Sequence, residues 1–226
     1  MLSLLALGLL ATRSPDWADI RTELDKPWPQ NHEFRIVCHG HSVPAGYFVT
    51  PTVDTFNAYP HLFHLALKDR FPRAVINVVV TAIGGENSVQ GENRFLDDVM
   101  SLKPRVVTID YGLNDRSLPL EQCKKAWQSM ISSALKGNAK VILLTPTPDT
   151  TAKMQSPDDP LTQRAIMIRE LVKLNNVSLV DSYSAFTDLL RAGKSLEPYM
   201  SQFNHPNRRG HEIVADKLAD VLLTKS

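Results

Sequence analysis

From Phe34 onward, short β-branched runs alternate with longer segments in which apolar residues recur every three or four positions. Strands buried on both faces read as apolar runs and the helices between them as amphipathic ones, so this alternation predicts an α/β protein with a parallel sheet. The runs are FRIVC at 34–38, AVINVVV at 74–80, RVVTIDY at 105–111, KVILLT at 140–145 and VSLVD at 177–181. Five strands are therefore expected. Leu120, Cys123, Trp127, Met130, Ile131 and Ala134 share one helical face, with Ser117 and Pro119 marking its start and Gly137-Asn138 its end. Further helices are expected from Tyr59-Pro60, around Ile166, Ile168, Leu171 and Val172, and around Val214, Leu218, Val221 and Leu222. No repeat, low-complexity tract or linker interrupts the pattern.

In such a sheet, ligand crevices form beyond the carboxyl ends of the strands. The first run ends into His39-Gly40-His41-Ser42, the second into Thr81-Ala82-Ile83-Gly84-Gly85-Glu86-Asn87-Ser88, and the third into Gly112-Leu113-Asn114-Asp115. Three strand ends thus offer Ser, Gly and Asn to one crevice.

Composition removes several alternatives. With 226 residues and 43% hydrophobic content the chain can bury a full core as one domain. Lys plus Arg exceeds Asp plus Glu by only one, 25 against 24, so no overall field draws nucleic acid or an anionic membrane. Cys38 and Cys123 lack ligand spacing and read as buried thiols. Residues 1–16 contain an apolar run far shorter than the ~20 residues of a membrane-spanning helix, so no integral membrane anchor is expected. The run has the length of a signal-peptide centre, yet no Lys or Arg precedes it and no clear cleavage site follows, which leaves export and cytoplasmic residence equally open. The folded domain is expected over 17–226. Oligomeric state is not legible.

A serine hydroxyl is a weak nucleophile and needs a base within hydrogen-bond reach, with donors waiting for the oxyanion that its attack creates. Ser42 is the candidate nucleophile and His205, just before the last helix, the candidate base. The N–H groups of Ser42 and Gly85 and the amide of Asn114 are candidates for the oxyanion hole; Gly85, lacking Cβ, would let a substrate come close. Asp115 reads as a structural cap. His39-x-His41 and His61-x-x-His64 are spacings that metal ligands use, but no Asp, Glu or Cys cluster joins them and no metal is expected. His41 is a candidate pocket residue, and His39 is expected to pack. Gly84-Gly85 lacks the GxGxxG or GxxxxGK context of a phosphate loop.

These residues resemble the SGNH hydrolases, the GDSL-like esterases. That family's Gly-Asp-Ser is matched by Gly40-His41-Ser42, its second-block glycine by Gly85 with Gly91 and Arg94 behind it, its Gly-x-Asn-Asp by Gly112-Leu113-Asn114-Asp115, and its His-Pro-Asn by His205-Pro206-Asn207, followed by Gly210-His211. The resemblance covers the chain from about Phe34 onward. It implies a single three-layer α/β/α domain with a five-stranded, flavodoxin-like parallel sheet, a serine esterase activity without a cofactor, and small-molecule esters as substrates.

Two departures stand out. His41 replaces the aspartate before the serine, and Gln202 stands where the family's Asp-x-x-His has the acid that orients the histidine. No carboxylate occurs between Glu197 and Glu212. The expectation is a Ser42–His205 dyad whose imidazole is oriented by the Gln202 carbonyl or a nearby backbone carbonyl. The resemblance implies esters of small acyl groups, and with no apolar lid or long apolar insertion to hold a fatty chain, acetyl esters on carbohydrates are the expected substrates. The alternative, kept open by Gln202, is a catalytically silent carbohydrate-binding protein on the same fold.

Overall fold

A computed structural model describes residues 15–224. The N-terminal segment on which the signal-peptide reading turns, residues 1–14, lies outside them. Helix α1 (Ala18–Leu24) leads into strand β1 (Glu33–Gly40), the short helix α2 (Ser42–Ala45) and helix α3 (Tyr59–Arg70). Then come β2 (Val75–Val80), α4 (Ser88–Asn93), α5 (Phe95–Asp98), β3 (Val106–Asp110) and α6 (Leu120–Lys136). The chain continues through β4 (Lys140–Leu144), α7 (Pro160–Asn175), β5 (Ser178–Val180) and α8 (Ser182–Arg191). A two-stranded hairpin, β6 (Met200–Gln202) with β7 (His205–Pro206), precedes the last helix, α9 (Arg208–Leu223). All five expected strands form one parallel sheet in the order β2-β1-β3-β4-β5.

The two-residue period of the strands divides the core. Phe34, Ile36, Cys38, Val106, Ile142, Leu144 and Val180 point to the side covered by α1, α3 and α9. Val37, Val107, Ile109, Val141 and Leu143 point to the other, where Trp127, Met130 and Ile131 of α6 and Ile168 and Leu171 of α7 meet them. With both faces covered, the strands carry apolar residues at nearly every position, which is why each run was visible in the sequence. Helix α6 ends at Gly137 as its signals require.

The order places the switch of chain direction between β1 and β3, which is where this class of sheet opens a crevice. Ser42 follows β1 and Asn114 follows β3. Beyond β2 the chain stays beside β1, with Thr81 N–H donating to the Cys38 carbonyl at 3.0 Å and Ile83 N–H to the Gly40 carbonyl at 3.1 Å. This extension carries Gly84 and Gly85 to the same rim.

Candidate active site

Ser42 opens α2 directly after β1 and is buried. Its Oγ lies 2.9 Å from His205 Nε2. His205 stands in β7 rather than in an irregular loop: Gln202 pairs with it across the hairpin, and the Asn207 cap of α9 follows at once. Two elements far apart in sequence thus meet at one hydrogen bond.

His205 Nδ1 has two neighbours at 2.8 Å, the backbone carbonyl of Phe48 and Nε2 of Gln202. One ring nitrogen cannot serve both. The Gln202 amide is oriented by other groups: Oε1 accepts the Thr50 N–H at 3.1 Å, and Nε2 faces Thr50 Oγ1 at 3.3 Å and Asn204 Oδ1 at 3.0 Å. Turning the amide over would set an NH₂ against the Thr50 N–H. As the amide stands, its Nε2 faces Nδ1 as a donor, so the Phe48 carbonyl is the acceptor placed to take a proton on that nitrogen, and Gln202 ties the 48–52 loop to the hairpin. Burial holds His205 below the usual imidazole value, partly offset by the Phe48 carbonyl, with His41 adding a smaller downward push.

The Asn114 amide donates to the Glu86 carbonyl at 2.8 Å, beside Gly85. Gly85 has φ +85°, and a Cβ there would meet nothing within 4 Å. The glycine is thus demanded by left-handed backbone, not by crowding. Gly84 is the crowded one, since a Cβ on it would come within 2.9 Å of the Tyr47 ring. Glu86 is clamped by Arg94, whose Nε lies 3.0 Å from both carboxylate oxygens. Asn87 caps α4 in a reciprocal bond with Gln90, and Asp115 accepts the Ser88 N–H at 2.7 Å and the Trp127 indole at 2.6 Å. Asp115 has the structural role expected of it. Burial pushes its carboxyl above the usual range against these donors.

Residues 38–213 match the GDSL-like Lipase/Acylhydrolase family. The chain belongs to that family. It is accordingly a carboxylic ester hydrolase. Solved structures with the same fold include the acetylxylan esterase Axe2 from Geobacillus stearothermophilus, with a TM-score of 0.71, 20% identity, and coverage of 85% of this chain and 95% of that one. A catalytic mutant of the same enzyme gives 0.74 at the same identity and coverage. Another is LAE5, an α/β hydrolase from the metagenome of Lake Arreo, Spain, with a TM-score of 0.72, 20% identity, and coverage of 85% and 97%. A comparison with curated proteins found no match.

Three other histidines have partners that set them apart from the Ser42–His205 contact. His41, the candidate pocket residue, has no exposed surface; it lies under the serine, because β1 ends by turning its side chain inward to cap α2. His39 packs as expected, with Nδ1 2.8 Å from Thr81 Oγ1 and Nε2 3.1 Å from the Gly91 carbonyl and 3.0 Å from the Tyr111 hydroxyl. His64 Nε2 bonds the Ile76 carbonyl at 3.1 Å. Among the described residues no group of three or more His, Cys, Asp or Glu side chains is arranged to hold a metal ion, and no helix is long and apolar enough to cross a membrane. Both cysteines are free and buried, and burial pushes their thiols up, Cys38 to about 12 and Cys123 to about 11.

A groove of about 800 Å³ adjoins the hairpin on the β6 side, between residues 200–203 and the 149–154 segment after β4. Gln202 and Phe203 line it, with Asp149 and Ser201 adding polar atoms and Met154 and Leu196 apolar ones. Two features of the site had no sequence signal of the usual kind. The Phe48 carbonyl belongs to a backbone that any residue could supply. Asp110 is a carboxylate ending the mostly apolar run of β3, and no motif marks it.

Proposed function

We propose that this enzyme hydrolyses short-acyl esters, acetyl above all, carried on carbohydrate alcohols, with Ser42 and His205 acting as a dyad. The observation that carries the reading is the chain of two short hydrogen bonds, Ser42 Oγ to His205 Nε2 at 2.9 Å and His205 Nδ1 to the Phe48 carbonyl at 2.8 Å. A proton held on Nδ1 leaves the Nε2 lone pair facing the hydroxyl, which is the tautomer a base needs.

Ser42 Oγ attacks the ester carbon as His205 Nε2 takes its proton. The oxyanion is received by the N–H groups of Ser42 and Gly85 and by the free N–H of the Asn114 amide. His205 then returns the proton to the departing alcohol, leaving an acyl enzyme. Water, deprotonated by His205, attacks that ester; the tetrahedral adduct collapses, the acid leaves and Ser42 recovers its proton.

Short acyl groups are favoured by Tyr47. Its ring packs on Gly84, and its centroid lies 6.1 Å from that of His205, so it narrows the space flanked by serine, histidine and the Gly84-Gly85 rim. A sugar-borne alcohol is favoured by the adjoining groove, which mixes polar groups with the half-exposed ring of Phe203. The likeness to an acetylxylan esterase points the same way.

The test is a series of p-nitrophenyl esters from acetate to octanoate, run beside acetylated xylo-oligosaccharides and a fluorophosphonate probe. Turnover should be highest on acetate, and labelling should vanish in Ser42→Ala while the fold persists. A preference for octanoate overturns the short-acyl reading; an unlabelled wild type overturns the nucleophile.

A further inference from the structure

Beneath Ser42 lie two polar side chains for which the reaction above has no task. His41 and Asp110, the last residue of β3, are both buried. β1 and β3 pair with Gly40 opposite Asp110, which brings the carboxylate up beside position 41. His41 Nε2 and Asp110 Oδ1 face each other at 3.5 Å, and neither atom has a hydrogen-bond partner among the described residues. The other carboxylate oxygen accepts the Tyr59 hydroxyl at 3.2 Å. Buried polar atoms are costly to leave unpaired, and each of these two is the group placed to satisfy the other.

The second ring nitrogen tells where the proton is. His41 Nδ1 accepts the Val43 N–H at 3.3 Å, capping the turn that carries the serine, and stands 3.3 Å from Ser42 Oγ. A nitrogen that accepts a backbone N–H must present its lone pair. The proton of the neutral ring then sits on Nε2, aimed at Asp110.

We propose that His41 and Asp110 form one positioning pair for Ser42: the Asp110 carboxylate keeps the proton on His41 Nε2, and the lone pair thereby fixed on Nδ1 holds the turn that presents the serine hydroxyl to His205. The inference rests on the reading of Ser42 as nucleophile. In the other tautomer, Nδ1–H would oppose the Val43 N–H donor to donor and would compete for Ser42 Oγ. The turn would then loosen, and the serine would leave the geometry in which His205 reaches it. The carboxylate of a Ser-His-Asp triad fixes the tautomer of the base; here the base has a backbone carbonyl, and a carboxylate fixes the tautomer of a second imidazole that supports the nucleophile. The pair exchanges no proton with substrate, and it acts on catalysis by positioning Ser42.

Two measurements test this. In a ¹⁵N–¹H spectrum of the wild-type imidazoles, His41 should show a protonated Nε2 and an unprotonated Nδ1; a protonated Nδ1 overturns the proposal, whatever any variant does. Asp110→Asn should lower kcat on p-nitrophenyl acetate and the fluorophosphonate labelling rate together by about 10- to 100-fold, the scale of an ångström-size misplacement, with KM little changed. In a His41→Asn background the side-chain amide oxygen can cap Val43 unaided, so adding Asp110→Asn should lose its effect. An equal loss in both backgrounds, with thermal melts showing folded protein, overturns the pair. A wild type without esterase activity or labelling would remove the nucleophile reading while leaving the tautomer assignment standing; an active wild type with Nδ1 protonated would remove the pair alone.

Discussion

His205 Nδ1 lies 2.8 Å from the backbone carbonyl of Phe48, so a neutral peptide group stands where a triad would have a carboxylate. That carbonyl is held by its own loop, in which Phe48 N–H donates to the Thr52 carbonyl at 3.0 Å and Thr52 N–H to the Val49 carbonyl at 2.7 Å. Gln202 pins the same loop through Thr50. The residue at the triad acid's position thus acts at one remove, by holding the loop whose carbonyl faces His205. Compared with a carboxylate, the carbonyl fixes the same tautomer but stabilises the imidazolium less.

Asn114→Ala should slow turnover on p-nitrophenyl acetate by about 100- to 1,000-fold, the usual effect of losing one oxyanion donor. Because the stabilised charge exists only in the transition state, kcat should fall and KM hold. A rise in KM with kcat unchanged would move Asn114 to ground-state binding.

The sheet and the main contact of the site were legible in the sequence for one physical reason: both depend on side chains at fixed periods or strand ends. Each β-branched run became a strand within one or two residues at either end, and Ser42 and His205 met as expected. Helix α8 was missed although Tyr183, Phe186, Leu189 and Leu190 share one helical face, because at ten residues it is short and follows directly on β5. The 200–206 hairpin was missed because two- and three-residue strands carry no period to detect. The sequence left two expected acceptors for His205, the Gln202 oxygen or a backbone carbonyl, and could not choose between them for a different reason. A backbone carbonyl is specified by where a loop folds, and no residue type announces it.

Acid should destabilise the protein through its buried imidazoles. Burial, then repulsion by His205, holds His211 down to about 3. Burial, then repulsion by Arg94, holds His39 down to about 4. In the unfolded chain both return to about 6.5. Between these limits the unfolded state binds more protons, so this contribution is complete above pH 6.5 and is lost as pH falls, at up to roughly 1.4 kcal/mol per pH unit for each ring. His211→Asn keeps an acceptor for the Tyr59 N–H that His211 Nδ1 now receives at 3.2 Å, but it does not titrate. Urea unfolding at pH 6.5 and pH 5 should show a smaller loss in that variant; an equal loss would put the titration elsewhere.

Tyr47 sets the acyl limit in the proposed reading, since its ring fills the space between Gly84 and His205. Tyr47→Ala should therefore raise kcat/KM for the butyrate ester relative to acetate by about 10-fold, within the range that added methylenes earn in a pocket able to take them. An unchanged ratio would place the acyl chain on another wall.

Gln202→Glu offers the sharpest view of the orienting group, because it sets a carboxylate of the same reach beside a ring nitrogen now 2.8 Å from the amide. His205 in the parent titrates below the usual 6.5, with burial the main cause. The active form is the neutral ring, so the acidic limb of the parent's pH–rate profile should lie below that value. A carboxylate favours imidazolium and raises the pKa, typically by 1–3 units for an opposite charge at such range. The acidic limb should accordingly move up by about one unit or more, costing activity at mildly acid pH. At alkaline pH the added charge should stabilise the imidazolium formed in the transition state, so kcat there should hold or rise. The variant also weakens one of the amide's ties, since Nε2 no longer faces Asn204, whereas the Thr50 N–H keeps an oxygen to donate to. Gln202→Ala separates the two effects: it loosens the loop without adding charge, and should lower kcat with the limb left in place. An unshifted limb in the Glu variant would mean that its carboxylate does not reach Nδ1, and that the Phe48 carbonyl alone sets the charge environment of the base.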